Sequence, residues 1–153
     1  MPLEISPESW DNIRRELAEA SQAKERVEGV VFMCSLDKHL ELLLRTAMID
    51  GECVDDLMTD GQALQPFSIK VRLAYALGLI AEVVRKDLYF LNKIRNAFAH
   101  KTDVTSFDKP PICDLCGNLS TVKGINGEAQ PPREAHRMAA FKSLVYLDSE
   151  IDR

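Results

Sequence analysis

The sequence lacks any apolar run of the roughly 18 residues that a membrane-spanning helix needs. It also lacks the basic-then-apolar opening of a secretory segment, since it begins Met1-Pro2-Leu3-Glu4-Ile5-Ser6. A cytoplasmic chain with reduced thiols is therefore expected, with no membrane contact. Glycine and proline number only seven each, which excludes a low-complexity chain. Aromatics are 7%, and β-branched residues rarely alternate with polar ones, so strand-rich folds are disfavoured. There is no glycine-rich phosphate loop, no G-x-S-x-G and no H-E-x-x-H, so the ordinary enzyme motifs are missing and no cofactor is expected.

An excess of basic charge is missing too. Nineteen Lys and Arg stand against 24 Asp and Glu, giving a net charge of -5. Duplex binding usually draws most of its affinity from phosphate neutralisation by a basic surface. Here Arg14-Arg15, Arg85-Lys86 and the Arg133 to Arg137 stretch are short and interleaved with acids. Direct DNA binding is not expected.

What remains is helical periodicity. Hydrophobic residues are 46% of the 153, enough for one core. Ser6-Pro7-Glu8 has the chemistry of a helix start, and Trp10, Ile13, Leu17 and Ala20 give a first helix its apolar side up to about residue 23. A second, long helix is expected over about 24–49, stopping at Asp50-Gly51. A short helix or turn follows around Val54, Leu57 and Met58. Ser68 is the expected cap of a helix carrying Ile69, Leu73, Ala74, Leu77 and Ile80, with Gly78 inside it for close backbone approach. The next helix, about 83–101, buries Val84, Leu88, Leu91, Ile94 and Phe98. A short helix with a glycine stop is expected over 110–117. Asn126-Gly127 can close a small hairpin, and a last helix begins after Pro132, turning Ala135, Met138, Ala139, Phe141, Leu144, Val145 and Leu147 inward. The expected fold is all-α: a single-domain multi-helix bundle, with its core at about 27–147 and a loop-rich insert at about 102–132 before the last helix.

The sharpest polar feature is Asn92-Lys93-Ile94-Arg95-Asn96-Ala97-Phe98-Ala99-His100. At about 100° per residue, Asn92, Asn96 and His100 fall on one helix edge beside the apolar stripe, and Arg95 neighbours Asn92 but lies about 140° from His100. These four residues are the candidate binding set. In one reading Arg95, Asn96 and His100 act on a phosphate or an RNA backbone, with arginine neutralising charge and histidine moving a proton. On a straight helix this needs a helix end near Ala99 or a second copy of the site. In the other reading the edge packs helices, and Arg95 pairs with an acid such as Asp87 or Asp103.

Cys113 and Cys116 form a lone C-x-x-C. Zinc needs four ligands, and Cys34, Cys53, His39 and His136 would have to be gathered by the fold. The pair is better read as two small thiols in a short helix, so no metal is expected. His39 and His136 are read as structural or exposed. A helix-turn-helix is disfavoured because both helices between residues 68 and 101 are too apolar to lie in a groove.

Phe67-Ser68-Ile69-Lys70-Val71-Arg72-Leu73-Ala74-Tyr75-Ala76-Leu77-Gly78-Leu79-Ile80, followed by the segment Leu91 to His100, resembles the core signature of the mannitol operon repressor family. The resemblance extends over about residues 27–147. It implies a helical bacterial transcription regulator without a recognisable DNA-binding motif, acting through other proteins, among them a DNA-binding transcription factor. The segment 113–132, with its C-x-x-C, departs from that pattern. The Arg95-to-His100 spacing also resembles the R-x4-6-H signature of HEPN domains, many of them dimeric, metal-independent ribonucleases. That resemblance would assign Arg95, Asn96 and His100 to an active site. A homodimer is compatible with either.

Overall fold

No glycine or proline interrupts the sequence between residues 8 and 28, and the helix that results is longer than its periodicity suggested. In the computed structural model, which describes residues 7–104 and 106–153, α1 runs unbroken over Pro7–Thr46. The expected break near residue 23 is absent, because nothing there stops propagation. The Ser6 cap and the side chains of Trp10 and Ile13 lie outside the described residues. The helix ends at Thr46, whose hydroxyl donates to Leu43 O at 2.7 Å. Gly51 is not its stop but the residue that precedes α2, Glu52–Met58.

The remaining helices are α3 (Phe67–Ala76), α4 (Glu82–His100), α5 (Ile112–Cys116) and α6 (Pro132–Ile151). Among the described residues there is no strand; one isolated antiparallel bridge, Lys123 with Ala129, closes the small hairpin over Asn126-Gly127. The fold is an all-α bundle. Among the described residues no helix is long and apolar enough to cross a membrane.

Two local expectations for α3 are corrected. Ser68 does not cap it: the cap position is Pro66, with no side-chain bond. Gly78 is not inside it. The helix stops at Ala76, Gly78 takes φ +72°, and its N–H donates to Tyr75 O while that of Leu79 donates to Ala74 O, both at 2.9 Å. This is a Schellman stop, and a left-handed glycine is what it requires. A Cβ added at Gly78 would meet nothing within 4 Å. The glycine that does admit a close neighbour is Gly29 in α1. A Cβ there would stand 2.5 Å from Phe98 Cδ2, so the missing side chain is the notch in which the Phe98 ring sits.

The core gathers Leu36, Leu40, Leu43 and Leu44 from α1 with Leu88, Leu91, Ile94 and Phe98 from α4. The loop-rich segment 102–132 that precedes the last helix is packed into the bundle. Its Val104, Phe107, Ile112, Cys116 and Leu119 are buried members of the same core. Polar ties hold it down: Asp87 of α4 accepts from the Ser120 N–H at 2.8 Å, Glu25 of α1 accepts from the Phe107 N–H at 2.7 Å, and Arg26 donates to Lys101 O at 3.0 Å. In α6 the inward face is built from small residues, Ala135, Ala139, Ala140 and Ser143, with Leu147. Phe141 and Val145, expected inside, are exposed. Small residues let α6 lie close against its neighbours, which displaces the bulky side chains outward.

Candidate functional site

Helix α4 places the four candidate residues at the margin of the core, as its periodicity requires. Leu91, Ile94 and Phe98 are fully buried, and Asn92, Arg95 and Asn96 beside them are half-buried. His100 is the last residue of the helix and is exposed. A histidine at the C-terminal turn also suits the negative end of the helix dipole.

Arg95 is the most informative of the four. Its Nη2 donates to Asn92 Oδ1 at 3.0 Å, one turn back. Its Nε is buried and has no partner. Among the described residues it forms no ion pair, and Asp87, one expected partner, is engaged by Ser120 instead. The guanidinium borders a cleft of about 190 Å³ lined by Val30, Met33, Cys34 and Asp37 of α1, with Gln65 and Phe67 from the approach to α3. Asp37 does not neutralise it, because that carboxylate is bound by Lys70 Nζ at 2.9 Å. The Lys70 side chain is itself buried. The cleft thus joins an apolar wall to an incompletely satisfied cation. That arrangement suits a small anionic group, such as a carboxylate, carried on an apolar or peptide backbone.

The structure does not bring Arg95 and His100 together. Five residues apart on an unbroken helix, they are separated by about 7.5 Å of rise and about 140° of rotation. No helix end intervenes at Ala99, since α4 continues to His100.

The other candidates are placed as follows. Cys116 is buried, and burial, reinforced by Cys113, pushes its thiol up to about 12. The thiolate that a metal would need is strongly disfavoured there. Among the described residues no group of three or more His, Cys, Asp or Glu is arranged to hold a metal ion. All four cysteines are free, with Cys34 and Cys53 exposed. His39 binds Ser35 O through Nδ1 at 2.7 Å. His136 is fully buried against Phe32 and Phe107, with neither ring nitrogen partnered. Burial drives its pKa from 6.5 to about 4, Arg137 adds to the lowering and Glu28 opposes it; the ring is neutral at pH 7.

Sequence reasoning missed the ionic cluster beside that histidine. Glu28 of α1 accepts from Arg133, with Nε at 3.0 Å, and also from Arg137. Burial raises the Glu28 pKa, but the two guanidiniums outweigh it and the net shift is downward. The 105-residue separation hid this contact. The cluster shows where the basic Arg133–Arg137 stretch goes: it is consumed inside the fold.

A family model described as mannitol repressor matches residues 19–146. No curated protein and no solved structure matches the chain.

Proposed function

Because the chain belongs to the mannitol repressor family, we propose that it regulates transcription by docking onto another protein, and not by reading operator bases itself. The observation that carries this reading is the disposition of positive charge. Arg45 is paired with Glu41 and Asp55, Arg85 and Lys86 with Glu82, Lys70 with Asp37, and Arg133 and Arg137 with Glu28. Phosphate contacts would have to compete with these pairs on a chain of net charge -5. Arg95, half-buried and without an ion pair among the described residues, borders a cleft suited to one acidic side chain, not to a duplex.

In this reading Asn92, Arg95, Asn96 and His100 form the contact edge of α4, and the partner, a DNA-binding transcription factor, presents an acidic residue to Arg95. The test is a titration of purified protein onto the promoter DNA it controls, across a range of salt. No site-specific complex is expected. A specific complex whose affinity falls steeply with salt, as several phosphate contacts demand, would overturn the reading. The alternative is a metal-independent ribonuclease using Arg95, Asn96 and His100. Incubation with cellular RNA in EDTA separates the two: intact RNA is expected, whereas cleavage abolished by His100→Ala would replace the regulator with the nuclease.

A further inference from the structure

The first half of α1 carries apolar residues that the bundle does not use. Leu17, Val27 and Val31 are 65%, 59% and 57% exposed, and Ala20, Lys24 and Cys34 between them are exposed as well. The buried positions of the same helix are Gly29, Met33, Leu36, Leu40, Leu43 and Leu44. Val27 and Val31 each lie two residues from Gly29, which puts them about 200° around the helix from it. At Leu17, Val27 and Val31 the exposed stripe is therefore on the back of α1, and Cys34 lies at its margin, beside the Arg95 cleft.

Its spacing is that of a coiled-coil seam. Leu17, Ala20, Lys24, Val27, Val31 and Cys34 alternate steps of three and four, and in the sequence the pattern extends back through Ile13 and Trp10. Such a repeat held over more than three heptads specifies helix-to-helix packing. A second observation points the same way: from Asp11 to Ser21 every described side chain is exposed. A helical segment of that length with no tertiary support is marginal in water. The segment has the pattern of a packed helix, but among the described residues nothing packs against it.

We propose that α1 pairs antiparallel with α1 of a second copy of this chain, along the sequence stripe from Trp10 to Cys34. The sizes along the stripe match themselves when reversed about its middle. With Leu17 opposite the partner's Val27, Lys24 falls opposite the partner's Ala20, and Val31 opposite residue 13. Each larger side chain meets a smaller one, and the Lys24 stem lies over a methyl group with its ammonium reaching water. A parallel pair would instead stack Lys24 on the partner's Lys24 inside the seam, a like-charge contact. The overlap covers about 24 residues, or about 36 Å. With a contact strip about 10 Å wide on each helix, the pair covers on the order of 700 Å² of projected surface. Side-chain relief brings that near the roughly 1,000 Å² at which specific interfaces begin. Because the stripe faces away from the bundle, both bodies are accommodated.

The test is sedimentation equilibrium of the full chain from about 1 to about 100 µM, the range suited to an interface this small. A reversible dimer is expected. Leu17→Glu with Val27→Glu, both on the solvent side of the single chain, should weaken it by at least about a hundredfold by burying carboxylates in the seam, while the melting temperature of the bundle stays unchanged. A monomer at every concentration, or a dimer indifferent to the double substitution, overturns the proposal. Orientation is read by mild oxidation in a background that carries Cys34→Ser and Cys53→Ser, which removes both exposed native thiols. L17C with V27C should give a covalent dimer, and L17C alone should not; efficient cross-linking of L17C alone would show a parallel pair and overturn the antiparallel assignment.

Discussion

Arg133 and Arg137 end on one shared carboxylate, Glu28, whereas Arg95 ends on a neutral amide, Asn92. All three are partly buried cations set at helix margins, yet they differ in what is left over. The first two spend their donors inside the fold, locking α6 to α1. Arg95 keeps an unpartnered Nε at the edge of a cleft. The Nε itself is buried, so what Arg95 can offer at the cleft is the rest of its guanidinium, which forms no ion pair among the described residues. The comparison teaches where to cut: substitutions in the Glu28 cluster should act on stability, and substitution of Arg95 should act on partnership.

The largest expected effect comes from the ring that supports both regions. Phe98 is fully buried, fills the Gly29 notch and packs on Phe107 at 5.0 Å between centroids. Phe98→Ala should cost about 3–5 kcal/mol in denaturant unfolding, enough to weaken both sites together.

Next comes acid. The unfolded chain protonates His136 near its ordinary 6.5 and the folded chain only near 4. Between those values the unfolded state holds more protons, so stability is complete above pH 6.5 and declines as pH falls toward 4. About 2.5 pH units of difference correspond to about 3 kcal/mol. His136→Leu should flatten the unfolding profile across that window. The Glu28 contribution has a different signature: its depressed pKa gives stability that is present above 4.5 and lost only below it.

Glu28→Gln should cost about 1–3 kcal/mol, the range for losing hydrogen bonds between charged groups, measured at neutral pH by the same denaturant titration. The smallest stability effect belongs to Arg95→Ala, expected within about 1 kcal/mol of the parent. If instead it destabilises as much as Glu28→Gln, the two regions do not differ as described.

The helices were legible because their signals are local. The stripe Val84, Leu88, Leu91, Ile94 and Phe98 specified both the extent of α4 and its buried face, and Pro132 marked the start of α6. Burial was less legible where size and length compete with hydrophobicity. Phe141 and Val145 are apolar but too bulky for the close α6 contact that Ala139, Ala140 and Ser143 make; the small-residue spacing was the signal. The stripe of Leu17 and Ala20 has correct helical spacing, but no element among the described residues lies opposite it. Gly78 was read as a helix interior because the residues beyond it keep the apolar pattern, whereas its conformational freedom is what ends the helix. At the candidate site, sequence placed Asn92, Arg95, Asn96 and His100 relative to one another on α4. It could not place Cys34, Asp37, Gln65 and Phe67 around Arg95, because those contacts depend on how three segments pack.

The central claim is that Arg95 serves a partner. The direct measurement is repression in cells of a reporter fused to the promoter that responds most to loss of this chain, comparing the parent with Arg95→Ala at matched protein level and melting temperature. The account predicts that the alanine variant folds and accumulates normally but loses most of the repression. Equal repression by the two proteins would contradict it.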